Sequence, residues 1–464
     1  MVSSEGDVAG SFRDPSGFVF RRAGVLYRQV NAVHAADYNH LMTSGLYDDL
    51  TRSGSLVAHE ETSVEAEVPS KAHKVLRPEV VDFVSYPYEW CFGQLKDAAL
   101  VTLDIQRRAL DAGMSLRDAS AYNIQFHRGR PLLIDTLSFE KLRPGTPWIA
   151  YRQFCQHFLA PLALMSYTDV RAGDLARIYL DGVPLDLATR LLPARARFRI
   201  PLLLHLFLHA RGEKRYAGRS DQAGASGGRA GFTLQAFKGL IDSLSGGIEK
   251  MTAHEQRSTW VDYYGEADHY GPDSMGAKKD LVSSLIAEID PALVWDLGAN
   301  TGDFSRLASA RGIKTIAFEA DRACVEENYR RVKANGEKSL LPLVLDLTNP
   351  SPAIGWDNRE RMTLRDRGPV DLVMALALLH HLAIANNVPL ARVAELLSGL
   401  GRRLIIEFVP KTDEMVQRLL ATREDIFGDY TRAVFEKEFE RLFEIERVEE
   451  IAGSERVLYL MRAR

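Results

Sequence analysis

The chain has 464 residues, and its 46% of hydrophobic residues is the content of an ordinary globular protein. This length predicts two or three domains rather than one core. The formal net charge of −4 gives no general attraction to nucleic acid or to an anionic membrane. The composition therefore favours a globular enzyme or binding protein and argues against a nucleic-acid partner.

The N-terminal stretch MVSSEGDVAGSFRD is polar and acidic, whereas a signal peptide would be basic and then apolar. The most apolar stretch, IPLLLHLFLHA at 200–210, is too short to span a bilayer. The three cysteines, Cys91, Cys155 and Cys324, lie far apart and lack the spacing of a zinc site. We therefore predict a cytoplasmic protein with no membrane span, whose cysteines are small core residues.

The first part of the chain predicts an α+β domain over residues 1–210. The stretch 17–30, GFVFRRAGVLYRQV, reads as two strands around a turn, and a further strand is expected within 78–90. Residues 97–112 have the apolar spacing of a helix. Strands that precede helices are typical of an α+β unit.

Residues 211–231 are rich in glycine, serine and charge, which predicts a linker between two domains. In the second domain, 232–464, strand-like apolar runs alternate with helical spacing. The runs lie at 293–296, 315–319, 341–346, 370–375 and 403–408. This alternation predicts an α/β domain with a parallel sheet and helices on both faces.

Ligands of an open parallel sheet bind beyond the carboxyl ends of its strands. The segment VWDLGANTGDFSR places Asp296 at such an end, and Gly298 and Gly302 then allow the backbone to approach a ligand closely. A dinucleotide site would have glycines where this chain has Asn300 and Asp303, and the acid would repel a pyrophosphate. The turn therefore predicts a ligand that carries donors or positive charge.

Two further acids end the next two runs. Glu319 ends TIAFEAD at a distance suited to ribose hydroxyls, and Asp346 ends LLPLVLD. Together with Asp296, these carboxylates suit a nucleoside with a cationic tail.

Four segments, VWDLGANTGDFS, IAFEAD, VLDLT and DLVMALALLHHL, resemble the successive signature segments of class I S-adenosylmethionine-dependent methyltransferases. The resemblance implies a Rossmann-like, seven-stranded, mostly parallel sheet that ends in a helix and an antiparallel hairpin. It implies S-adenosylmethionine as cofactor, with Glu319 on the ribose, and Asp346 and Leu347 on the adenine. The residues implied on the methionine side or in the same turn are Asp296, Gly298, Ala299, Asn300 and Gly302.

The segment before the sheet carries Trp260, Tyr263, Tyr264 and Tyr270, enough aromatic surface for a partial lid over a planar or cationic ligand. Tyr264 and Tyr270 are therefore candidates for contact with the cofactor. The alternative is that these rings anchor the segment to the sheet.

Candidates for catalysis follow the fourth and fifth runs. His380 and His381 are possible general bases because histidine titrates near neutral pH, although a structural or cofactor-shielding role is the alternative. Glu407 and Lys411 could orient a polar acceptor, or could form a solvated pair at the sheet edge. An NPPY-type segment, typical of enzymes that methylate nucleobases or glutamine amides, does not follow the fourth run. We therefore expect a hydroxyl or amine of a small molecule or glycoconjugate as acceptor.

In the first domain, LRDASAYNIQFHRGRPLLID resembles the catalytic and metal-binding loops of the protein-kinase-like fold. The resemblance implies Asp118 as base and Asn123 and Asp135 as magnesium ligands, with ATP as nucleotide. The chain departs from the pattern, with Arg28 at the position of the nucleotide-binding lysine and few glycines in GFVFRRAG.

These departures predict a domain that holds the acceptor or a nucleotide and no longer phosphorylates efficiently. The domain organisation is similar to that of methyltransferases associated with bacterial nodulation and surface-glycan genes, which implies a glycoconjugate acceptor. Two alternatives stay open: a bifunctional kinase and methyltransferase, and a non-catalytic cofactor-binding scaffold.

Overall fold

The chain divides into two compact units. The first unit comprises Ser3–Gln256 and Gly355–Arg361, and the second comprises Met1–Val2, Arg257–Ile354 and Met362–Arg464. The computed structural model describes residues 6–210, 233–254, 272–421 and 423–464.

The first unit begins with an antiparallel sheet whose strands lie in the order β1-β2-β3-β5-β4. These strands are β1 (Gly6–Asp7), β2 (Gly17–Arg22), β3 (Val25–Asn31), β4 (His59–Thr62) and β5 (Ala72–Pro78). The predicted pair within 17–30 is confirmed. Ala23 and Gly24 join its strands with φ of 49° and 77°, and such a pair of positive φ angles is typical of a tight hairpin turn.

The prediction of a strand within 78–90 is wrong. Strand β5 ends at Pro78, and the residues that follow form loops and one 3-10 turn, Pro87–Glu89. The described part of this unit has two further antiparallel sheets of two strands each. Strand β6 (Met114–Leu116) pairs with β9 (Phe139–Lys141), and β7 (Ile124–His127) pairs with β8 (Arg130–Leu133).

Helices dominate the rest of the first unit. The helix expected over 97–112 is confirmed as α3, although it begins five residues earlier. The α-helices are α1 (Ala35–Thr43), α2 (Leu46–Ser53), α3 (Phe92–Asp111), α4 (Tyr151–Phe154), α5 (Ala160–Tyr167), α6 (Leu175–Ile178), α7 (Leu185–Leu191), α8 (Ile200–Leu202) and α9 (Leu234–Glu249).

Helix α9 departs from the predicted boundary, because residues 232–254 were assigned to the second domain and α9 packs in the first unit. The ring of Phe237 lies 6.4 Å from that of Trp148. Lys96 Nζ donates to the carbonyl oxygens of Glu249 and Met251, at 2.8 and 2.9 Å. The amphipathic face of α9 is thus buried against α3 rather than against the second sheet.

A second departure is the segment Gly355–Arg361, which was predicted within the second domain but packs in the first unit. Arg13 Nη2 lies 2.6 Å from Glu360 Oε1, and the Arg361 guanidinium lies 4.1 Å from the centre of the Tyr122 ring. A side chain on Gly10 would meet the Glu360 carbonyl oxygen at 2.8 Å, so this close approach depends on glycine. No signal in the sequence marks this segment.

The second unit contains a seven-stranded sheet in the order β12-β11-β10-β13-β14-β16-β15. The first five strands in this order are parallel, and β16 runs antiparallel to both β14 and β15. The strands are β10 (Leu293–Leu297), β11 (Lys314–Glu319), β12 (Leu340–Val344), β13 (Val370–Ala375), β14 (Gly401–Phe408), β15 (Phe443–Glu450) and β16 (Val457–Ala463). All five predicted apolar runs are strands, and the C-terminal hairpin is antiparallel as expected.

Helices follow most strands of this sheet and cover its apolar faces. They are α10 (Pro272–Ile289), α11 (Ser305–Ser309), α12 (Arg322–Asn335), α13 (Leu390–Ser398), α14 (Glu414–Leu420) and α15 (Arg432–Glu440). Val294, Leu372 and Ile405 from three neighbouring strands are fully buried in a cluster with Val282 and Ile286 of α10. Strands buried in this way explain why the parallel strands read as continuous apolar runs.

The three cysteines are buried free thiols, as predicted. Within the described ranges, every helix is too short or too polar to cross a lipid bilayer.

Candidate functional site

The candidate site of the second unit lies where three neighbouring parallel strands end. Asp296 lies on β10, Glu319 is the last residue of β11, and Asp346 follows β12 by two residues. Because β12, β11 and β10 are adjacent and parallel, the three acids lie along the same edge of the sheet. The structure thus brings together the three acids that the sequence singled out.

The turn after β10 has the backbone that its glycines predict. Gly298 and Gly302 have φ of 75° and 81°, and Asn300 adopts φ of 50°. A Cβ on Gly302 would lie 2.4 Å from the Asn328 amide, and one on Gly298 would lie 3.2 Å from Leu378. The missing side chains therefore let neighbouring protein side chains approach the turn closely. The close approach of a ligand to this backbone stays a prediction.

Glu319 holds the glycine turn to the turn after its own strand. Its Oε2 accepts a hydrogen bond from the Asn300 amide nitrogen at 2.9 Å, and its Oε1 accepts one from the Asp321 amide nitrogen at 2.8 Å. Burial raises the pKa of Glu319, whereas the backbone donors oppose this rise. Each carboxylate oxygen has more than one acceptor position, so Glu319 retains capacity for ligand hydroxyls.

Asp296 lies deeper than Glu319 and is buried. The Ser305 hydroxyl donates to its Oδ2 at 2.6 Å. Burial raises the pKa of Asp296 to about 6, and the nearby Glu319 carboxylate adds to the rise while Lys278 opposes it. The carboxyl group is therefore mostly ionised at neutral pH and becomes protonated as the pH falls through 6.

Asp346 and Leu347 lie in the turn that follows β12, at the third strand end. The Thr348 amide nitrogen and hydroxyl both donate to Asp346 Oδ1, at 2.8 and 2.7 Å. Asp346 is exposed and Leu347 partly buried, so an apolar and a polar side chain adjoin at this strand end.

The two histidines after β13 differ in access. His380 is buried, and its Nδ1 has no hydrogen-bond partner among the described residues, whereas His381 is partly exposed. Burial lowers the pKa of His381, and it lowers that of His380 well below its usual value, with His381 and Lys278 adding to the effect. Both rings are thus neutral at pH 7, and His381 is the better placed to accept a proton.

Glu407 is fully buried, which corrects the expectation that it orients an acceptor or forms a solvated pair with Lys411. Its Oε2 accepts from Lys278 Nζ at 2.6 Å and from the Ala377 amide nitrogen at 2.7 Å. Lys411 instead pairs with Asp425 at 2.8 Å. A carboxylate so enclosed is a structural group of the interior.

The predicted aromatic lid, with Trp260, Tyr263, Tyr264 and Tyr270, lies outside the described residues. The cofactor contacts predicted for Tyr264 and Tyr270 therefore stay predictions.

In the first unit, hydrogen bonds connect two of the three residues that the resemblance to the kinase-like fold singled out. Ser138 accepts a hydrogen bond from Asn123 Nδ2 at 3.3 Å and donates to Asp135 Oδ2 at 2.9 Å. Asp118 accepts from the Ser120 amide nitrogen at 2.9 Å. Asn123 and Asp135 therefore share one hydrogen-bonded network, as neighbouring metal ligands would.

The carboxylate expected to bind magnesium is already paired with a cation. Arg28, on β3, donates to Asp135 Oδ1, and burial lowers the pKa of Arg28 to about 10. A magnesium ion at this carboxylate would have to displace the guanidinium. The magnesium site predicted at Asn123 and Asp135 therefore stays a prediction, and Arg28 would compete with the metal for Asp135.

The loop between β1 and β2 is tied to the residue that precedes Asp118. Arg117 Nη2 donates to Asp14 Oδ2 at 2.7 Å and to Ser16 Oγ at 2.8 Å. The GFVFRRAG segment, which has few glycines for a phosphate-covering loop, forms β2 and the hairpin turn that follows it. A side chain on Gly17 would overlap the Gln29 carbonyl oxygen, so this glycine serves strand packing.

Comparisons with known proteins identify one curated relative that matches almost the whole chain. The nodulation protein NoeA of Rhizobium meliloti (strain 1021) is 37% identical over 461 residues, which cover 98% of this chain and 95% of NoeA. No protein-family model matches the chain.

Solved structures that resemble part of the chain include methyltransferases. WbdD, described as a bifunctional kinase-methyltransferase, is 15% identical with a TM-score of 0.30, over 43% of this chain and 42% of WbdD. The magnesium protoporphyrin IX methyltransferase ChlM from Synechocystis PCC 6803, solved with bound SAH, is 18% identical with a TM-score of 0.30, over 46% of this chain and 90% of ChlM.

These structural likenesses are too weak to carry an argument about the site. The sequence match to NoeA, by contrast, extends along both units at an identity that establishes common descent. The chain therefore belongs to the family of the nodulation protein NoeA.

Proposed function

We propose that the chain is an S-adenosylmethionine-dependent methyltransferase whose cofactor binds the second unit. The single observation that carries the proposal is the alignment of Asp296, Glu319 and Asp346 at three adjacent strand ends. Three acids in this arrangement suit a nucleoside with a cationic tail and repel a phosphate. The resemblance of the sequence to class I methyltransferases implies the same cofactor.

The residues of the site fit S-adenosylmethionine. Glu319 is partly exposed and can accept from the ribose hydroxyls, while Asp346 and Leu347 offer a polar and an apolar contact for the adenine. Asp296, ionised at neutral pH, complements the positive charge of the methionine end. We propose that the glycine turn, with Ala299 and Asn300, contributes backbone groups on this side.

The reaction requires alignment of the acceptor with the methyl group and, for a hydroxyl, removal of one proton. S-adenosylmethionine would supply an electrophilic methyl group: the bond from the methyl carbon to the acceptor atom would form as the carbon–sulfur bond breaks, which would leave the neutral thioether S-adenosylhomocysteine. We propose that neutral His381 takes the proton of the acceptor hydroxyl in this step. His380, which is more deeply buried, would support the ring of His381 at a centroid separation of 4.3 Å.

We further propose that the acceptor is a hydroxyl or amine of a small molecule or glycoconjugate. The acids of the site do not suit a polyanion, and the net charge of −4 gives no general attraction to nucleic acid. The resemblance of the domain organisation to methyltransferases associated with nodulation and surface-glycan genes favours a glycoconjugate among these acceptors. A screen of saccharides and small hydroxyl compounds for conversion of S-adenosylmethionine to S-adenosylhomocysteine tests this choice.

Glu319→Ala should weaken S-adenosylmethionine binding by about 1 to 3 kcal/mol, because charge-assisted hydrogen bonds to the ribose are lost. Isothermal titration calorimetry measures the change, and the thermal midpoint establishes that the variant is folded. Glu395→Ala, an exposed acid on α13, is the matched control and should bind as the wild type does. Unchanged affinity in the folded Glu319→Ala variant would remove Glu319 from the site.

For the first unit, we propose a role in holding the acceptor or a nucleotide without efficient phosphoryl transfer. The support is the Arg28 to Asp135 ion pair, which competes with a metal for the carboxylate, and the loop tied down by Arg117. Phosphoryl transfer depends on charge neutralisation around the phosphates, so losing the metal removes most of the rate. A truncated chain that begins at residue 232 would lack α3, the packing partner of α9, and is therefore not a clean test.

The second candidate function, a bifunctional kinase and methyltransferase, is favoured by the network that joins Asn123 and Asp135 through Ser138. Incubation of the full chain with labelled ATP, magnesium and candidate acceptors separates the two. We expect no phosphorylation above that of the Asp118→Asn variant. Acceptor phosphorylation that Asp118→Asn abolishes would instead establish the bifunctional enzyme.

A further inference from the structure

Lys278 is a buried lysine on the apolar face of α10. Met275, Val282, Leu285 and Ile289 lie at helical spacing on this face and belong to or pack against the core of the second unit. Lys278 falls on the same stripe, and 2% of its side chain is exposed. Because a buried ammonium is costly unless it is paired, a lysine at this position requires an explanation.

The ammonium of Lys278 lies between the end of β14 and the turn after β10. Its Nζ donates to Glu407 Oε2 at 2.6 Å, at the end of β14. It also lies 4.8 Å from the centre of the Phe304 ring, which follows the glycine turn and precedes Ser305, the donor to Asp296. One side chain thus contacts both the end of β14 and the turn after β10.

The same carboxylate fixes the loop after β13. Glu407 Oε2 accepts from the Ala377 amide nitrogen at 2.7 Å, and Ala377 adopts φ of 51°, a left-handed conformation that is unfavourable for alanine. This turn leads directly to His380 and His381. The hydrogen bond to Glu407 therefore helps to hold a strained turn next to the proposed base.

The pair is the start of a chain of alternating charges. Arg456 Nη1 lies 3.6 Å from Glu407 Oε1, and its Nε and Nη2 donate to Asp413 at 2.7 and 3.0 Å. Asp413 also caps the first turn of α14 through the Met415 amide nitrogen at 3.0 Å. Glu407 is thus held from both sides, and Arg456 supplies a second cation.

We propose that Lys278 is a positioning residue of the S-adenosylmethionine site, which fixes the loops after β10 and β13. The proposal rests on the proposed function of the second unit. The charged groups that act on Asp296 are Glu319, which disfavours its ionised form, and Lys278, which favours it, while the Ser305 hydroxyl donates to it. Lys278 therefore acts on the cofactor through Asp296 and through loop geometry, without touching the reacting atoms.

The test compares the pH dependence of S-adenosylmethionine affinity in the full-length wild type and its variants. In the wild type, we expect the S-adenosylmethionine affinity to be maximal above pH 7. It should fall as the pH is lowered and Asp296 is protonated, with a midpoint near the Asp296 pKa of about 6. In Lys278→Met, the midpoint should move up by about one pH unit because the neighbouring cation is lost. The affinity at pH 7 should then fall by about twofold, because about half of the Asp296 carboxyl groups would be protonated. The part of the loss that is due to this protonation should disappear at pH 8.5.

Two further variants separate positioning from folding. The single variant Lys278→Met leaves the buried Glu407 carboxylate without this cation, which could destabilise the fold. The double variant Lys278→Met, Glu407→Gln removes both charges, and the glutamine oxygen still accepts a hydrogen bond from the Ala377 amide. Lys279→Met, at the neighbouring, more exposed position, is the matched control and should keep the wild-type midpoint. The thermal unfolding midpoint should show that the double variant is folded. The pH at which its S-adenosylmethionine affinity is half-maximal should still be raised relative to the wild type.

The outcomes decide between the claims. A wild-type midpoint in both Lys278 variants would overturn the positioning role, and so would failure of the double variant to fold, since Lys278 would then serve stability alone. No binding of S-adenosylmethionine by the wild type at any pH would overturn the proposed function and this inference with it.

Discussion

Replacing His381 with glutamine is expected to lower the turnover number by about 100-fold or more for a hydroxyl acceptor, while S-adenosylmethionine affinity stays within a few-fold of the wild type. The physical reason is that glutamine keeps a polar side chain but cannot take the proton of the acceptor at neutral pH. Steady-state production of S-adenosylhomocysteine measures the turnover, and calorimetry measures the affinity.

The pH profile of turnover gives an independent check. Burial lowers the pKa of His381, so the neutral, proton-accepting form is already complete at pH 7. Turnover should therefore rise with pH through a midpoint below 6.5 and stay flat from pH 7 upward. If His380→Gln rather than His381→Gln removes the activity, the base is the more buried ring. Near-normal turnover in both single variants and the double variant would leave alignment as the main source of rate.

Gly302→Ala is expected to lower the free energy of unfolding of the second unit by about 2 to 5 kcal/mol. A left-handed φ costs a residue with a Cβ roughly 1 to 2 kcal/mol, and a Cβ placed 2.4 Å from the buried Asn328 amide adds about 1 to 3 kcal/mol of overpacking. Urea unfolding followed by a probe within the second unit measures the loss.

Gly312→Ala is the matched control for this prediction. Gly312 has the same φ, 81°, but a Cβ there meets nothing within 4 Å. The Gly312→Ala variant should therefore lose only the part of the unfolding free energy that comes from the left-handed φ, about 1 to 2 kcal/mol. Equal losses in the two variants would mean that Asn328 moves aside, and that its packing does not hold the glycine turn.

The parallel strands of the second unit were predictable because their local pattern coincides with their environment. Strands such as β10 and β13 are buried against other layers, so their sequences are apolar throughout, and Asp296 and Glu319 stand out at the ends. Strand β5 was missed because it carries His73, Lys74 and Arg77 and resembles the loop that follows it. The predicted strand was placed in the more apolar loop.

The parts of the site that depend on long-range pairing could not be read from the sequence. Lys278 and Glu407 are 129 residues apart, and nothing local says that the two charges meet. Lys278 did leave one signal, since it interrupts an apolar stripe at helical spacing. The Arg28 to Asp135 ion pair also depends on long-range contact. The sequence singles out each residue separately, and only the fold shows that Arg28 pairs with the carboxylate predicted to bind the metal.

The central claim is that the second unit binds S-adenosylmethionine through the acids at the ends of β10, β11 and β12. Equilibrium dialysis of labelled S-adenosylmethionine against the full-length chain at pH 7.5 tests it most directly. We predict saturable binding at one site per chain, competed by S-adenosylhomocysteine and weakened in Glu319→Ala but not in Glu395→Ala. Absence of binding at millimolar S-adenosylmethionine by folded protein, or binding that Glu319→Ala leaves unchanged, would contradict it.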